Sequence, residues 1–238
     1  MNIWERIYKE YGSVHIEISG GEPMIYPEFY EFLSRVLKYH TIGINTNLSG
    51  NVQEMIKNLS NNRARLKVNA TFHPLFANFK EFVKKAELLE KNDFSIGVAY
   101  LAWPPQIEDM PVYREKFEER DFRLSVLTFW GEYSGQDYPS SYTEREKEII
   151  SPNLGKRSGE EFQIKPMITQ GEICNAGHTY ATIQPDGKVL RCGGGSWEKQ
   201  DKSIGNIFDD NFKLLKEPQP CLSKYCPCNE WAFLLVEK

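Results

Sequence analysis

The chain has 238 residues, 40% of them hydrophobic and 26% charged, enough for one large domain, or a main domain with a small appendage, around a core of ordinary size. Its formal net charge is −4 and its lysines and arginines are scattered, so it lacks the electrostatic footprint that nucleic acid or an anionic membrane requires. No apolar run approaches the ~20 residues of a membrane span, and Met1 to Glu10 has no signal-peptide core; the expectation is a cytoplasmic protein.

Asn2 to Tyr11 reads as a short helix with Ile3, Trp4 and Ile7 on one side and Gly12 placed to stop it. Val14, Ile16 and Ile18 then alternate with His15, Glu17 and Ser19, the pattern of a strand with one apolar face and one face able to carry chemistry. That strand runs into Gly20-Gly21-Glu22-Pro23. Two glycines at a strand end give permissive backbone angles and let a ligand reach the peptide groups; Glu22 sets a carboxylate just beyond them and Pro23 stiffens the exit. An ammonium group suits such a turn, although a tight strand-to-helix connection with a solvated glutamate is the plainer reading of the same residues.

Pro27 to His40 carries Phe29, Phe32, Leu33, Val36 and Leu37 at helical spacing. Thr41 to Asn47 is the next strand and ends in polar groups, and Asn51 to Leu59 is the next helix, with Val52, Met55, Ile56 and Leu59 on one side. Leu66, Val68, Ala70 and Phe72 alternate with Lys67, Asn69, Thr71 and His73 before Pro74 halts the strand; Phe79, Phe82, Val83, Ala86 and Leu89 mark the helix that follows. Further strands are expected near Phe94 to Leu101 and Phe122 to Phe129, with a helix near Glu108 to Arg120 that must hold Pro111 in its first turn. Such alternation predicts an α/β fold with parallel strands and helices outside, and it fits an open doubly wound sheet and a barrel equally well. Polar groups gather at the C-terminal strand ends, where active sites collect in both architectures.

Trp130 to Tyr142 reads as an aromatic loop, over the core or over a substrate. Thr143 caps a helix, with Glu146 in the reciprocal position of a capping box, and residues 151–159 make the best domain boundary. All five cysteines follow it: Cys174, Cys192, Cys221, Cys226 and Cys228. Cys174 is followed by twelve residues, Gly187, four more residues and Cys192, with Thr182 to Val189 forming two short strands about an Asp-Gly turn that brings those two cysteines together. Thiolates are soft ligands; by spacing alone, a zinc ribbon and an iron-sulfur site suit this set equally.

Gly20-Gly21-Glu22-Pro23 after such a strand resembles the motif with which radical S-adenosylmethionine enzymes hold the amino group of their cofactor's methionine part, and the resemblance runs through nearly the whole chain. It implies a partial parallel (β/α) barrel over 1–150, with five of the usual six strand-helix units visible. By the same resemblance Gly20, Gly21, Glu22 and Pro23 hold the methionine end, Thr46 and Asn47 lie where such enzymes often place cofactor contacts, and Asn69, Thr71 and His73, on one strand face, reach ribose or substrate. For His73 a capping or core hydrogen bond before Pro74 is the favoured alternative. Residues 160–238, with the Cys174 to Cys192 pattern, the Pro185-Asp186-Gly187 hairpin, Ile204 to Ile207 and the closing cysteines, resemble the auxiliary-cluster (SPASM or twitch) domain of that family. Five cysteines cannot ligate two full four-cysteine sites, so one auxiliary 4Fe-4S cluster is implied, with Cys174 and Cys192 as the firmer pair.

Enzymes of this family open their barrel with a strand whose loop carries three cysteines for the 4Fe-4S cluster that binds S-adenosylmethionine. No cysteine precedes Cys174, so the radical-generating cluster has no ligands in this chain and the first strand of the barrel is expected to be missing. Val14 to Ile18 then becomes an unpaired sheet edge. The functional expectation is the body of a radical S-adenosylmethionine enzyme that, when complete, modifies a peptide or small molecule and is fed electrons by a reductant protein. Its first strand would come from an upstream stretch or from another polypeptide. The alternative is a non-catalytic iron-sulfur or zinc-binding scaffold, and no catalytic residue is assigned.

Overall fold

The structure is a computed structural model that describes residues 3–154, 167–193, 203–226 and 231–236. The chain divides into two compact units, Met1–Phe129 with Thr143–Leu154, and Trp130–Tyr142 with Gly155–Lys238.

The first unit begins with α1 (Ile3–Tyr11) and then alternates β1 (His15–Ile18), α2 (Phe29–Val36), β2 (Thr41–Thr46), α3 (Val52–Leu59), β3 (Leu66–Phe72), α4 (Phe79–Lys91), β4 (Ser95–Ala102), α5 (Met110–Glu118) and β5 (Leu124–Thr128). The strands form a parallel sheet in sequential order. Beyond β5, Leu154 makes an isolated parallel bridge to Val126, so part of the stretch expected to be a linker is packed against the sheet. Among the described residues β1 pairs with β2 alone, as an edge strand. This is the expected α/β unit: its five strands make one parallel sheet, and among the described residues β1 and β5 are not paired with each other.

Why the segments fold this way is visible at their ends. Asn51 and Asn78 accept hydrogen bonds from the amides of Glu54 and Glu81 and so cap α3 and α4. Thr143 and Glu146 form the expected reciprocal capping box on α6 (Glu144–Ile150). Helix α2 is shorter than Pro27 to His40 suggests, because Glu28 adopts a left-handed backbone (φ 59°) that starts the helix only at Phe29, and the chain turns at His40, whose amide bonds the Val36 carbonyl. His40 itself is fully buried: Val14 N–H donates to its Nδ1 at 3.2 Å, and its Nε2 lies 2.9 Å from the Trp4 carbonyl. It therefore joins α1 and β1 to the end of α2, with the proton on Nε2.

The core lies on one face of the sheet. Ile42 and Ile44 of β2, Leu66, Val68, Ala70 and Phe72 of β3, Val98 and Tyr100 of β4, and Leu124 and Val126 of β5 are buried, as are the inward residues of α2 to α5. Phe72 is the hub, with ring centroids of Tyr113, Phe82, Phe117 and Phe79 at 4.9, 5.1, 5.6 and 5.8 Å. The opposite face carries Glu17, Asn45, Lys67, Asn69, Thr71, Ser95 and Ser125, all half-buried or exposed.

The second unit is built from small antiparallel pieces. Trp130 to Tyr142, expected to be a loop, contains a hairpin of β6 (Gly131–Tyr133) and β7 (Gln136–Tyr138). Ser134 and Gly135 both have positive φ, the two-residue turn whose twist suits a hairpin, and strands of three residues are too short for an alternating pattern to announce them. Next come β8 (Met167–Ile168), β9 (Ile173–Cys174), β10 (Thr182–Ile183), β11 (Lys188–Leu190), β12 (Ser203–Asn206), β13 (Gln219–Pro220) and β14 (Tyr225–Cys226), paired as β8 with β14, β9 with β13, and β10-β11-β12 as one sheet. The expected Asp-Gly hairpin is β10-β11, with Asp186 Oδ1 accepting from the Lys188 amide at 3.0 Å.

The position of Phe72 makes a direct prediction. Phe72→Ala leaves a cavity among four aromatic rings and is expected to cost about 3–5 kcal/mol of unfolding free energy, read as a lower urea midpoint with an unchanged slope.

Candidate functional site

At the C-terminal end of β1 the backbone turns through Gly20 (φ 99°) and Gly21 (φ 57°). A side chain is strained at both angles, and both residues are exposed: an added Cβ meets nothing within 4 Å at Gly20 and only the Tyr26 hydroxyl, at 3.9 Å, at Gly21. The expected glycine turn with an approachable backbone is therefore present.

Glu22 behaves differently from the sequence expectation of a carboxylate aimed at a ligand. It is 9% exposed and its oxygens turn back into the chain. Oε1 accepts from the Met24 amide at 3.0 Å and from Thr46 Oγ1 at 2.7 Å, and Oε2 accepts from the Asn47 amide at 2.7 Å. The first of these bonds caps the 3-10 turn Pro23–Ile25; the other two tie that turn to the end of β2. Thr46 passes the connection on, because its hydroxyl accepts from the Leu48 amide at 3.0 Å, and Asn47 Oδ1 accepts from the Ser49 amide at 2.8 Å. Three of the roughly four acceptor positions of a carboxylate are thus engaged. Glu22, Thr46 and Asn47 form one network, with Gly20, Gly21 and Pro23 beside it.

Two features of this network have no sequence signal. Leu48, buried and bulky, has a left-handed backbone (φ 58°), a costly conformation that persists only when its surroundings enforce it. Lys85 of α4 supplies part of that enforcement, donating to the Leu48 carbonyl at 2.6 Å. Gly50 is required by contact: a Cβ there would come within 2.4 Å of Met24 Cβ and 2.8 Å of its carbonyl oxygen. On the open face, Glu17 lies across Gly43, where a Cβ would stand 2.4 Å from the carboxylate oxygens, and its Oε1 is 2.8 Å from His15 Nε2.

Asn69 and Thr71 are half-buried on that same face. Asn69 sits in register between Asn45 and Gly97, and Thr71 beside Ala99; an added Cβ at Gly97 meets nothing within 4 Å. His73 follows them just past the strand, and its carbonyl accepts from Phe76 and Ala77. Burial lowers the His73 pKa below its usual 6.5.

In the second unit Cys174, Ala176 and Leu234 are buried together, with Cys192 and Cys221 packed against them. Cys174 Sγ accepts from the Ala176 amide at 3.5 Å and Cys221 Sγ lies 3.3 Å from Thr169 Oγ1. Burial pushes the Cys174 thiol up, opposed by the Ala176 amide. Cys226 is on β14, opposite Met167, and Cys228 lies outside the described residues. The thiols are soft donors, and Cys174, Cys192 and Cys221 belong to one buried cluster. Among the described residues, however, no group of three or more histidine, cysteine or acidic side chains stands at metal-holding geometry, and no helix is long and apolar enough to cross a membrane.

No family model and no curated protein matches the chain. Solved structures do. The chain is similar to hexahistidine-tagged anSMEcpe with bound AdoMet, at a TM-score of 0.60 and 18% identity over 86% of this chain and 64% of that one. It is also similar to native anSMEcpe with bound AdoMet and the Cp18Cys peptide, at 0.63 and 18% over 87% and 68%, and with the Kp18Cys peptide, at 0.62 and 17% over 87% and 68%. That protein is an anaerobic sulfatase-maturating enzyme of the radical S-adenosylmethionine type. The likeness is one of fold, and the chain spans about two thirds of the length of these structures.

The network and the histidine beyond it each make a prediction. Thr46→Val removes the hydroxyl between Glu22 and the Leu48 amide and leaves buried polar groups unpaired, so it is expected to cost about 1–3 kcal/mol, measured by urea unfolding. Unfolded His73 takes up its proton below about pH 6.5 while folded His73 stays neutral to a lower pH, so stability should fall as pH drops through that window and level off below the folded value. Comparing wild type with His73→Gln at about pH 7.5 and about pH 5.5 checks the sign, the variant losing that part of the decline.

Proposed function

We propose that this chain is the body of a radical S-adenosylmethionine enzyme, with the site at the C-terminal ends of β1 and β2. The observation that carries the reading is the turn at Gly20 and Gly21, open along its backbone and locked through Glu22 to Thr46 and Asn47. The fold shared with AdoMet-bound anSMEcpe supports it.

In this reading the carbonyls of the Gly20-Gly21 turn receive the cofactor's ammonium group. Glu22 adds negative charge from behind and holds the turn's shape, a positioning role that its three internal hydrogen bonds favour over direct contact. The Asn47 side chain, and Asn69 and Thr71 on the open face, supply hydrogen bonds to the remainder of the molecule. When reductively cleaved, S-adenosylmethionine supplies a 5'-deoxyadenosyl radical that takes hydrogen from a substrate; the protein binds, orients and excludes water. No cysteine precedes Cys174, so in this reading the cluster that opens the cofactor would take its ligands from outside residues 1–173, on a strand that would pair with β1, which among the described residues pairs with β2 alone. A reductant protein delivers the electron. For substrate we favour a peptide over a small molecule, on the strength of the peptide-bound anSMEcpe structures. The thiols of Cys174, Cys192 and Cys221, with Cys226 or Cys228, hold an auxiliary iron-sulfur site or, as the alternative, zinc.

The test is chemical. This chain with a strong reductant is expected to form no 5'-deoxyadenosine from S-adenosylmethionine, and a version extended by the three-cysteine strand of a radical S-adenosylmethionine enzyme to form it. In the extended protein Glu22→Gln should weaken cofactor binding by roughly tenfold or more, because an amide in place of a carboxylate opposes donor to donor and drops the charge. Failure of the extended, iron-loaded protein to bind the cofactor by calorimetry would leave the non-catalytic scaffold as the better account.

A further inference from the structure

We propose that Arg191 assembles the thiol group of the second unit, its guanidinium fork holding together the three chain segments that carry Cys174, Cys192 and Cys221. Arg191 directly precedes Cys192. Its Nε donates to the Ala176 carbonyl at 3.0 Å, Nη1 to the Pro220 carbonyl at 3.1 Å, and Nη2 to the Gln219 carbonyl at 3.0 Å. Ala176 lies two residues beyond Cys174, and Pro220 directly precedes Cys221. One planar group therefore reaches the neighbours of all three cysteines, a geometry that a lysine cannot copy.

The backbone around Arg191 explains why such a fastener is needed. The segments of Cys174 and Cys221 meet through a ladder of two residue pairs, Cys174 with Gln219 and Ile173 with Pro220, continued by the Cys221 amide to the Glu172 carbonyl and the Gly171 amide to the Cys221 carbonyl, and Pro220 has no amide to offer the ladder. Cys192 follows β11, whose strand partners β10 and β12 carry no cysteine. Arg191 links the end of β11 to Ala176, just beyond β9, and to β13. A second observation agrees. Gly177 has φ +91°, and a Cβ added there would lie 2.9 Å from Arg191 Cγ and 2.7 Å from Leu215 Cδ1; the arginine stem has its path because residue 177 is a glycine. Charge-assisted bonds to carbonyls are among the stronger hydrogen bonds, and none of these three uses a cysteine sulfur. The thiols are therefore expected to be gathered before any metal binds, unlike small zinc domains that fold only on binding metal.

The inference rests on the metal reading given above for one of its two readouts, and the experiment separates them. The whole chain is prepared metal-free as wild type, Arg191→Met and Arg191→Lys. Amide exchange in Arg191→Met should quicken at least about tenfold at Asn175 and Cys221, whose amides bond the carbonyls of Leu234 and Glu172, with Gln184 in the β10-β11 hairpin still protected. Arg191→Lys should be intermediate. Zinc(II), titrated against a chromophoric chelator, should bind Arg191→Met about tenfold more weakly than wild type or worse. Unchanged exchange at those two amides, or unchanged zinc affinity, in a variant that keeps its hairpin overturns the proposal. If Arg191→Met loses the hairpin as well, the same two measurements on Arg191→Lys decide it. A wild-type chain that takes up neither zinc(II) nor iron defeats the metal reading, and the exchange data then decide the role of Arg191 alone.

Discussion

The Glu22 carboxylate is the point on which the strand-end network of the first unit depends. It is nearly buried, and an ionised group in that position is tolerable only because three donors meet it. Those donors come from two places, its own turn and the end of the neighbouring strand. The carboxylate therefore ties two strand ends together, with the open glycine turn on one side and the left-handed Leu48 and its Lys85 support on the other. In the proposed reading, a site that places a flexible charged ligand gains from having its own charge fixed in advance.

Much of the fold was legible because the sequence repeats one physical pattern. Residues two apart on each strand and three or four apart on each helix are apolar, and every such segment folded as its period requires. Of the site, Gly20, Gly21, Thr46 and Asn47 were legible as polar or permissive groups at strand ends. What the direction of the Glu22 side chain would be was not, since that is decided by Thr46 and Asn47 some two dozen residues later. Lys85 and Arg191 were illegible for a similar reason: a cation that reaches distant carbonyls leaves no local spacing behind. Gly43 and Gly50 are instructive as well, because each is small on account of a neighbour, Glu17 and Met24, that lies on another segment. The β6-β7 hairpin was missed because strands of three residues carry too little periodicity.

The two units meet their polar demands in contrasting ways. In the first, a carboxylate collects amides and a hydroxyl; in the second, a guanidinium collects carbonyls. Both take the groups that short or terminating strands leave unpaired. The first unit has long ladders and needs the device only at strand ends. The second has strands of two to four residues among the described residues and needs it beside the thiols.

One consequence of the sheet concerns how such a protein can change. Register pairs Ile16 with Ile42, Ile44 with Val68 and Val98 with Leu124, so in all five strands the even-numbered residues face the helices and the odd-numbered ones face away. The core is written in one parity and the polar face in the other. Substitutions at positions 45, 67, 69, 71, 95 and 125 can accumulate and re-shape the open face, which the proposed function makes the face toward cofactor and substrate, while the aromatic core around Phe72 is left intact. A single inserted residue within a strand would exchange the two sets at once, burying the polar side chains and exposing the core. Such a sheet is free to drift in specificity by replacement and is closed to drift by insertion, except in the loops that join its strands to its helices.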